Sequence, residues 1–419
     1  MHIELPYGEH DKQVAELPDS WQVDFVYPNE VPTRDELSVL REALAHPIDA
    51  PPIHEFLHTD KLLFVVNDHT RPTPSAKVLE LLKPHLTNKE LHFLIATGIH
   101  RRSNPTELRR ILGDFYEASQ DRIYFNDSEN KSDYRFMGTT SRGTPVWVHK
   151  CLFEFPRVVV ITSVEPHYFA GFTGGRKSIL PGITAYETIE ANHKLALLPD
   201  SHALKLDGNP VAEDMYEGAH MVLQHAPPMF FIQLVLDRHH RIYAAFTGDM
   251  DASFLKAVTT AREIFVTPID AKADMVITVA PFPMDVDLYQ SQKAIDNAKL
   301  ALTPNGILLL VSKCREGIGE QVFYELLSQE PTPQAVLNRI AKGYKLGYHK
   351  AAKLAEIATW AHMWAVTDLP PNVLNRIFIR PFDSLQSAID TAYSMKGDNL
   401  RVLIMPEGSI TIPYLETSE

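Results

Sequence analysis

The sequence predicts an α/β protein of two domains built on mainly parallel sheets. Three observations lead there. The chain has 419 residues, a length that suggests two domains. Short unbroken apolar runs alternate with helix-length segments along most of it. Polar, glycine-containing stretches follow several of those runs directly, where open α/β sheets bind ligands.

The expected strands are Lys61–Val66 (KLLFVV), Leu91–Ala96 (LHFLIA), Arg157–Ile161 (RVVVI), Phe230–Leu236, Met275–Val279 and Gly306–Val311. A parallel strand is covered on both faces, so its apolar run needs no alternation with polar residues. The expected helices include Ser75–Leu82, Pro105–Leu112, Asp251–Ile264 and Gln292–Leu302. A domain boundary is expected near Thr267–Ala273 (TPIDAKA), where a long helix ends and a fresh strand begins. That gives an N-terminal α/β domain over residues 1–268 and a C-terminal α/β domain over residues 274–419. The pattern leaves open whether Asn399–Pro413 completes the second sheet or crosses back to the first domain.

Composition narrows the function. Hydrophobic residues make up 45% of the chain, enough for sizeable cores. A formal charge of −13 argues against a broad nucleic-acid surface. The two cysteines, Cys151 and Cys314, form no C-x-x-C pair, which speaks against thiolate zinc sites and for a reducing compartment. The start, MHIELPYGEHDK, lacks the basic end and apolar run of a signal peptide. No apolar stretch approaches the roughly 20 residues of a membrane helix. The expectation is a soluble cytoplasmic protein with neither nucleic-acid nor membrane partners.

Four stretches carry candidate chemistry. Asp68-His69-Thr70-Arg71-Pro72-Thr73-Pro74-Ser75 follows the first strand. It offers Asp68, Thr70 and the forked guanidinium of Arg71, which suits a carboxylate or phosphate, with Ser75 as a helix cap. Thr97-Gly98-Ile99-His100-Arg101 follows the second strand, with Gly98 permitting a tight exit and His100 projecting toward a ligand. The third and most specific stretch runs from Glu165 to Gly182 (EPHYFAGFTGGRKSILPG) after RVVVI. Its three glycines within five residues, Gly171, Gly174 and Gly175, suggest a cradle of backbone amides for an anion, with Arg176 and Lys177 adding charge. The spacing is not that of a P-loop. His167 lies within this stretch, and His193 lies on the expected helix that follows, Ala185–Leu198. The fourth stretch, Asp287–Lys293, opens a helix on which Tyr289 and Lys293 share a face, with Gln290 reaching the same space.

In motif order these stretches resemble the nickel-dependent lactate racemases, the nickel-pincer enzymes: DHTRPTPS, TGIHR, EPHYFAGFTGGRKSILPG, TIEANH and YQSQK. The resemblance implies two α/β domains with the active site in the cleft between them. It implies a covalently attached cofactor, pyridinium-3,5-bisthiocarboxylic acid mononucleotide nickel, the nickel-pincer nucleotide. By resemblance, Lys177 tethers it through a thioamide and His193 binds the nickel. His100 and His167 map to the pair that exchanges the substrate hydroxyl proton. Arg71, Tyr289, Gln290 and Lys293 fall to the substrate, and Asp68, Thr70 and the Thr173–Gly175 backbone to the cofactor. Cofactor-maturation proteins are implied as partners.

The expected function is racemisation of lactate or a related short 2-hydroxy acid by hydride abstraction and return through a 2-oxo acid. Sulfur, carbon and imidazole donors suit Ni(II), so the absence of a multi-histidine motif agrees with the resemblance. The rival within the class is a racemase or epimerase of a larger 2-hydroxy acid such as malate, an aromatic hydroxy acid or a sugar acid, with Trp360, Trp364, Tyr289 and Phe169 shaping the pocket. The rival outside it is a non-catalytic nucleotide-binding homologue, which would lack one of the acid–base histidines.

Overall fold

The structure is a computed structural model that describes residues 1–415. It divides into two compact units, one of Glu30–Glu263 and one of Met1–Asn29 together with the chain from Ile264 onward.

In the first unit six strands form one sheet, in the order Ile242–Gly248, Met229–Leu236, Val158–Ser163, Lys61–Asn67, Glu90–Ala96 and Ile123–Phe125. Every neighbouring pair is parallel except the outermost, Met229–Leu236 with Ile242–Gly248. The apolar runs are unbroken because both faces are covered. Leu62, Phe64 and Val66 point into a cluster with Val78, Leu79 and Leu82 of the Ser75–Leu86 helix. Leu63 and Val65 point the other way, among Ile179, Leu180 and Val211. Each such side chain withdrawn from water stabilises the fold by about 1.5–3 kcal/mol before the entropy of ordering it is counted. That packing holds the strand ends, and the loops that leave them, in place.

The second unit is a six-stranded parallel sheet in the order Arg380–Phe382, His362–Val366, Leu302–Val311, Ala273–Val279, Arg401–Met405 and Gln22–Phe25. The hairpin of His2–Tyr7 and Asp11–Glu16 packs Ile3, Leu5 and Tyr7 onto the same core as Met275, Ile277 and Val402. The 399–413 stretch stays in this unit. Arg401–Met405 joins the sheet, and Ile412–Leu415 pairs in parallel with Val266–Ile269.

The division differs from the sequence expectation at two places. Residues 1–29 belong with the C-terminal unit and not with a domain over 1–268, because Gln22–Phe25 hydrogen-bonds to Arg401–Met405. The second boundary falls at Glu263–Ile264, slightly before the expected 267–273, since Val266–Ile269 pairs within the C-terminal unit. The helix expected over Gln292–Leu302 runs instead over Leu288–Ala298, and Leu302 already opens the next strand. Asp287 sets its start, its carboxylate accepting the Gln290 N–H at 2.6 Å as an N-cap. Ser75, expected as a cap, is the first residue of its helix, and its buried hydroxyl has no hydrogen-bond partner among the described residues.

Candidate active site

The turn after Lys61–Asn67 delivers Asp68 into the protein interior, where it is 3% exposed. Both carboxylate oxygens are committed. Oδ1 accepts the Thr70 amide at 3.1 Å and the Thr70 hydroxyl at 2.7 Å. Oδ2 lies 2.7 Å from Nδ1 of His100. His100 is placed by the turn after Glu90–Ala96, where Gly98 takes the left-handed φ of +56° and gives its N–H to the Gly182 carbonyl. The resemblance gives Asp68 to the cofactor; in the structure its carboxylate also orients the His100 ring. A carboxylate on Nδ1 puts the neutral ring's proton there and makes Nε2 the basic nitrogen, the arrangement of a general base.

Burial pulls the Asp68 carboxyl upward, but His100, Arg71 and Thr70 together outweigh it and hold the group well below the usual carboxylate range. Its stabilising contribution is therefore fully present above the unfolded value near ~3.9 and is lost as pH falls through the lower folded value. Asp68→Asn is expected to flatten the acid limb of a plot of melting temperature against pH below ~4. Parallel acid limbs in the two proteins would contradict this linkage.

Lys177 sits in the turn after the glycines, half-buried. Desolvation, then the charges of Arg71 and Arg176, lowers its ammonium from 10.5 to about 7. Among the described residues it makes no ion pair. Arg176 beside it is 3% exposed and is held by the carbonyls of Ala212 (3.2 Å) and Ala170 (3.1 Å) and by the Phe254 ring at 4.7 Å. Arg71, on the Asp68 loop, is near enough to act on both Asp68 and Lys177.

In the glycine-rich turn two of the backbone amides are engaged within the protein. The Thr173 amide donates to the Glu165 carbonyl (2.9 Å) and the Gly175 amide to Gln233 Oε1 (2.8 Å). The Thr173 hydroxyl is also engaged, by the Ser163 carbonyl and the Glu165 amide. Glycine is required here for close packing: at Gly174, with φ +81°, a Cβ would stand 2.5 Å from Val164. At Gly171, with φ +77°, it would stand 2.2 Å from the Lys205 carbonyl oxygen.

His167 and His193 meet at one aromatic ring. Phe169, 2% exposed, stands edge-on to His167 at 4.6 Å and to His193 at 5.0 Å. His167 belongs to a two-residue bridge, Pro166–His167 with Gly171–Phe172, that folds the loop back on itself. Its Nδ1 accepts the Ala170 N–H at 3.3 Å, so the neutral ring carries its proton on Nε2. His193 lies in the last turn of the Tyr186–Lys194 helix, 9% exposed. The loops that follow the strands thus supply Asp68, His100, His167 and Lys177, all in one unit.

The remaining candidates lie in the other unit, on the Leu288–Ala298 helix. Tyr289 is buried, edge-on to Phe323 at 5.7 Å. Gln290 is 6% exposed and Lys293 half-buried. Lys350, which sequence reasoning missed, stands 3.9 Å over the Tyr289 ring and donates to the Tyr289 carbonyl. Nothing near Lys350 in the sequence marks it; only the packing of the Tyr348–Ala358 helix brings it there. Trp364 does not shape a pocket: it is 2% exposed in the core beside Phe382. Among the described residues no helix is long and apolar enough to cross a membrane, and no group of three or more His, Cys, Asp or Glu is placed to hold a metal.

Comparison with known proteins places the chain in a family. Residues 7–204 match the lactate racemase N-terminal domain and residues 269–412 the lactate racemase C-terminal domain. The lactate racemase of Thermoanaerobacterium thermosaccharolyticum is 30% identical over 97% of this chain and 98% of its own length. That of Lactiplantibacillus plantarum is 27% identical over 97% and 98%. The solved structure of the lactate racemase apoprotein from T. thermosaccharolyticum superimposes with a TM-score of 0.88 at 29% identity, covering 99% of this chain and 100% of that one. With such likeness along nearly the whole chain, this protein belongs to the lactate racemase family and is an isomerase of the racemase class.

Proposed function

We propose that this enzyme racemises lactate or a related short 2-hydroxy acid, using a nickel-pincer nucleotide held by Lys177 and His193. The observation that carries the reading is the pairing of His100, oriented by Asp68 at Nδ1, with a lysine whose ammonium is lowered to about 7 on the same loop cluster. A neutral amine is what a covalent tether requires. His193 has its Nδ1 against the Asn192 amide oxygen at 3.2 Å, which favours the tautomer whose Nε2 can ligate a metal. The residues present therefore fit the group. When bound, it supplies acceptance and return of the Cα hydrogen as hydride.

The chain's own residues do the rest. Arg71 offers its guanidinium to the substrate carboxylate. In the other unit Gln290 and Lys293 offer an amide and an ammonium of matching chemistry, with Tyr289 beside them. His100 Nε2 takes the hydroxyl proton as Cα loses its hydrogen, and Asp68 stabilises the imidazolium that results. His167 presents its Nε2–H to the same oxygen. It acts as the second base when its proton moves to Nδ1, releasing the Ala170 amide. The 2-oxo acid turns between them and regains its hydrogen on the opposite face. Cytoplasmic residence and dependence on cofactor-maturation proteins follow from the same reading.

Racemisation in deuterated water tests the chemistry. Histidine titrates near ~6.5, far too weak a base for a carbon beside a carboxylate. Hydride transfer predicts product without deuterium at Cα. Stoichiometric deuterium there would replace it with proton abstraction. A panel of 2-hydroxy acids on the matured enzyme tests the substrate: fastest turnover with malate or an aromatic hydroxy acid would displace lactate.

A further inference from the structure

Asn192, directly before His193, is fully buried and makes three directed contacts. Its amide nitrogen donates to Asp214 Oδ2 at 2.7 Å and to the Val211 carbonyl at 3.4 Å. Its amide oxygen lies 3.2 Å from His193 Nδ1. Asp214, on the Pro210–Leu223 helix, is also fully buried. Its other contacts are hydroxyl donors, Thr140 at 2.5 Å to Oδ1 and Thr144 at 2.8 Å to Oδ2. Among the described residues it makes no ion pair. Thr140 Oγ1 accepts the Thr144 amide at 3.1 Å, which turns its hydroxyl hydrogen toward Asp214.

These contacts permit one orientation. Turning the Asn192 amide over would set its oxygen against a carboxylate and a carbonyl, leaving buried acceptors unpaired. The NH2 group therefore faces Asp214 and Val211, and the oxygen faces His193. An acceptor at Nδ1 requires the ring proton to be there. We infer that Asp214, through Asn192, is a positioning residue that fixes His193 in the Nδ1–H form, the tautomer whose Nε2 carries the lone pair a metal takes. This rests on the proposed role of His193. It matters because an imidazole ligates only through a bare nitrogen, and an outer partner on the other nitrogen sets both tautomer and ring direction. The sequence gives no hint of it, since Asp214 stands 21 residues beyond His193 on another helix.

The test uses the full-length apoprotein with ¹⁵N-labelled histidine, His193 being assigned by its loss in His193→Gln. Long-range ¹H–¹⁵N correlation reads the tautomer directly, without metal or turnover. Wild type is expected to show Nδ1–H. Asn192→Leu, and the nearly isosteric Asp214→Asn, are expected to shift His193 toward Nε2–H while melting cooperatively. Nickel retention in matured variants under chelator competition is expected to weaken by about 10–100-fold. An Nε2–H wild type, or an unchanged tautomer in both folded variants, overturns the relay. Full nickel in matured His193→Ala overturns the metal role of His193 instead, and does so whatever tautomer is found.

Discussion

Lys177→Ala is expected to abolish both the covalent adduct and turnover, while the apoprotein keeps its fold. The expectation follows from the state of the amine. Burial first, then Arg71 and Arg176, brings its ammonium to about 7, so near pH 8 roughly 90% of Lys177 is neutral. An ordinary lysine at that pH is neutral to roughly 0.3%, a difference of about 300-fold in reactive amine. Labelling of the apoprotein by an amine-reactive probe should accordingly saturate at Lys177 with a midpoint near 7, as read by peptide mass spectrometry. Lys177→Arg keeps a charge but cannot lose its proton, so it should behave as Lys177→Ala does. An adduct mapped to another residue, or an active Lys177→Arg enzyme, would remove the tether from this position. A labelling midpoint near that of surface lysines would remove the electrostatic argument alone.

His100→Ala and His167→Ala should each lower turnover by ~10²–10⁴-fold with cofactor content unchanged. The two directions must fall together. Enantiomers have equal free energy in achiral solvent, so the ratio of forward to reverse kcat/KM stays at unity in any variant. What can differ is the pH dependence. His100 has its base form preset by Asp68 at 2.7 Å, whereas His167 must give up the Ala170 amide at Nδ1 to act as a base. Asp68→Asn should therefore depress turnover through His100 without displacing His167. Near-wild-type rates in either histidine variant, with nickel and adduct intact, would take that histidine out of the mechanism.

Those predictions draw on different levels of the molecule. The run KLLFVV by itself determined a strand covered on both faces, because no polar position interrupts it, and the structure divides its residues between two cores. The motifs after the strands likewise marked His100, His167 and Lys177 as candidates, with His193 on the helix that follows, since chemistry in open α/β sheets collects at strand ends. Tertiary structure alone decided the rest. The placement of residues 1–29 depends on Gln22–Phe25 reaching Arg401–Met405, a pairing whose energy comes from an edge far away in the chain. The glycines of the turn announce backbone freedom, but only packing against Val164 and Lys205 tells close approach from an anion cradle. Asp68 is a candidate in the sequence, but only the fold sets its carboxylate on His100, and Asp214 carries no signal before its helix meets Asn192. A sequence records which groups are available and what period they keep. Which proton sits on which nitrogen is fixed by a partner within 3 Å or so, and that partner comes from another element of the fold.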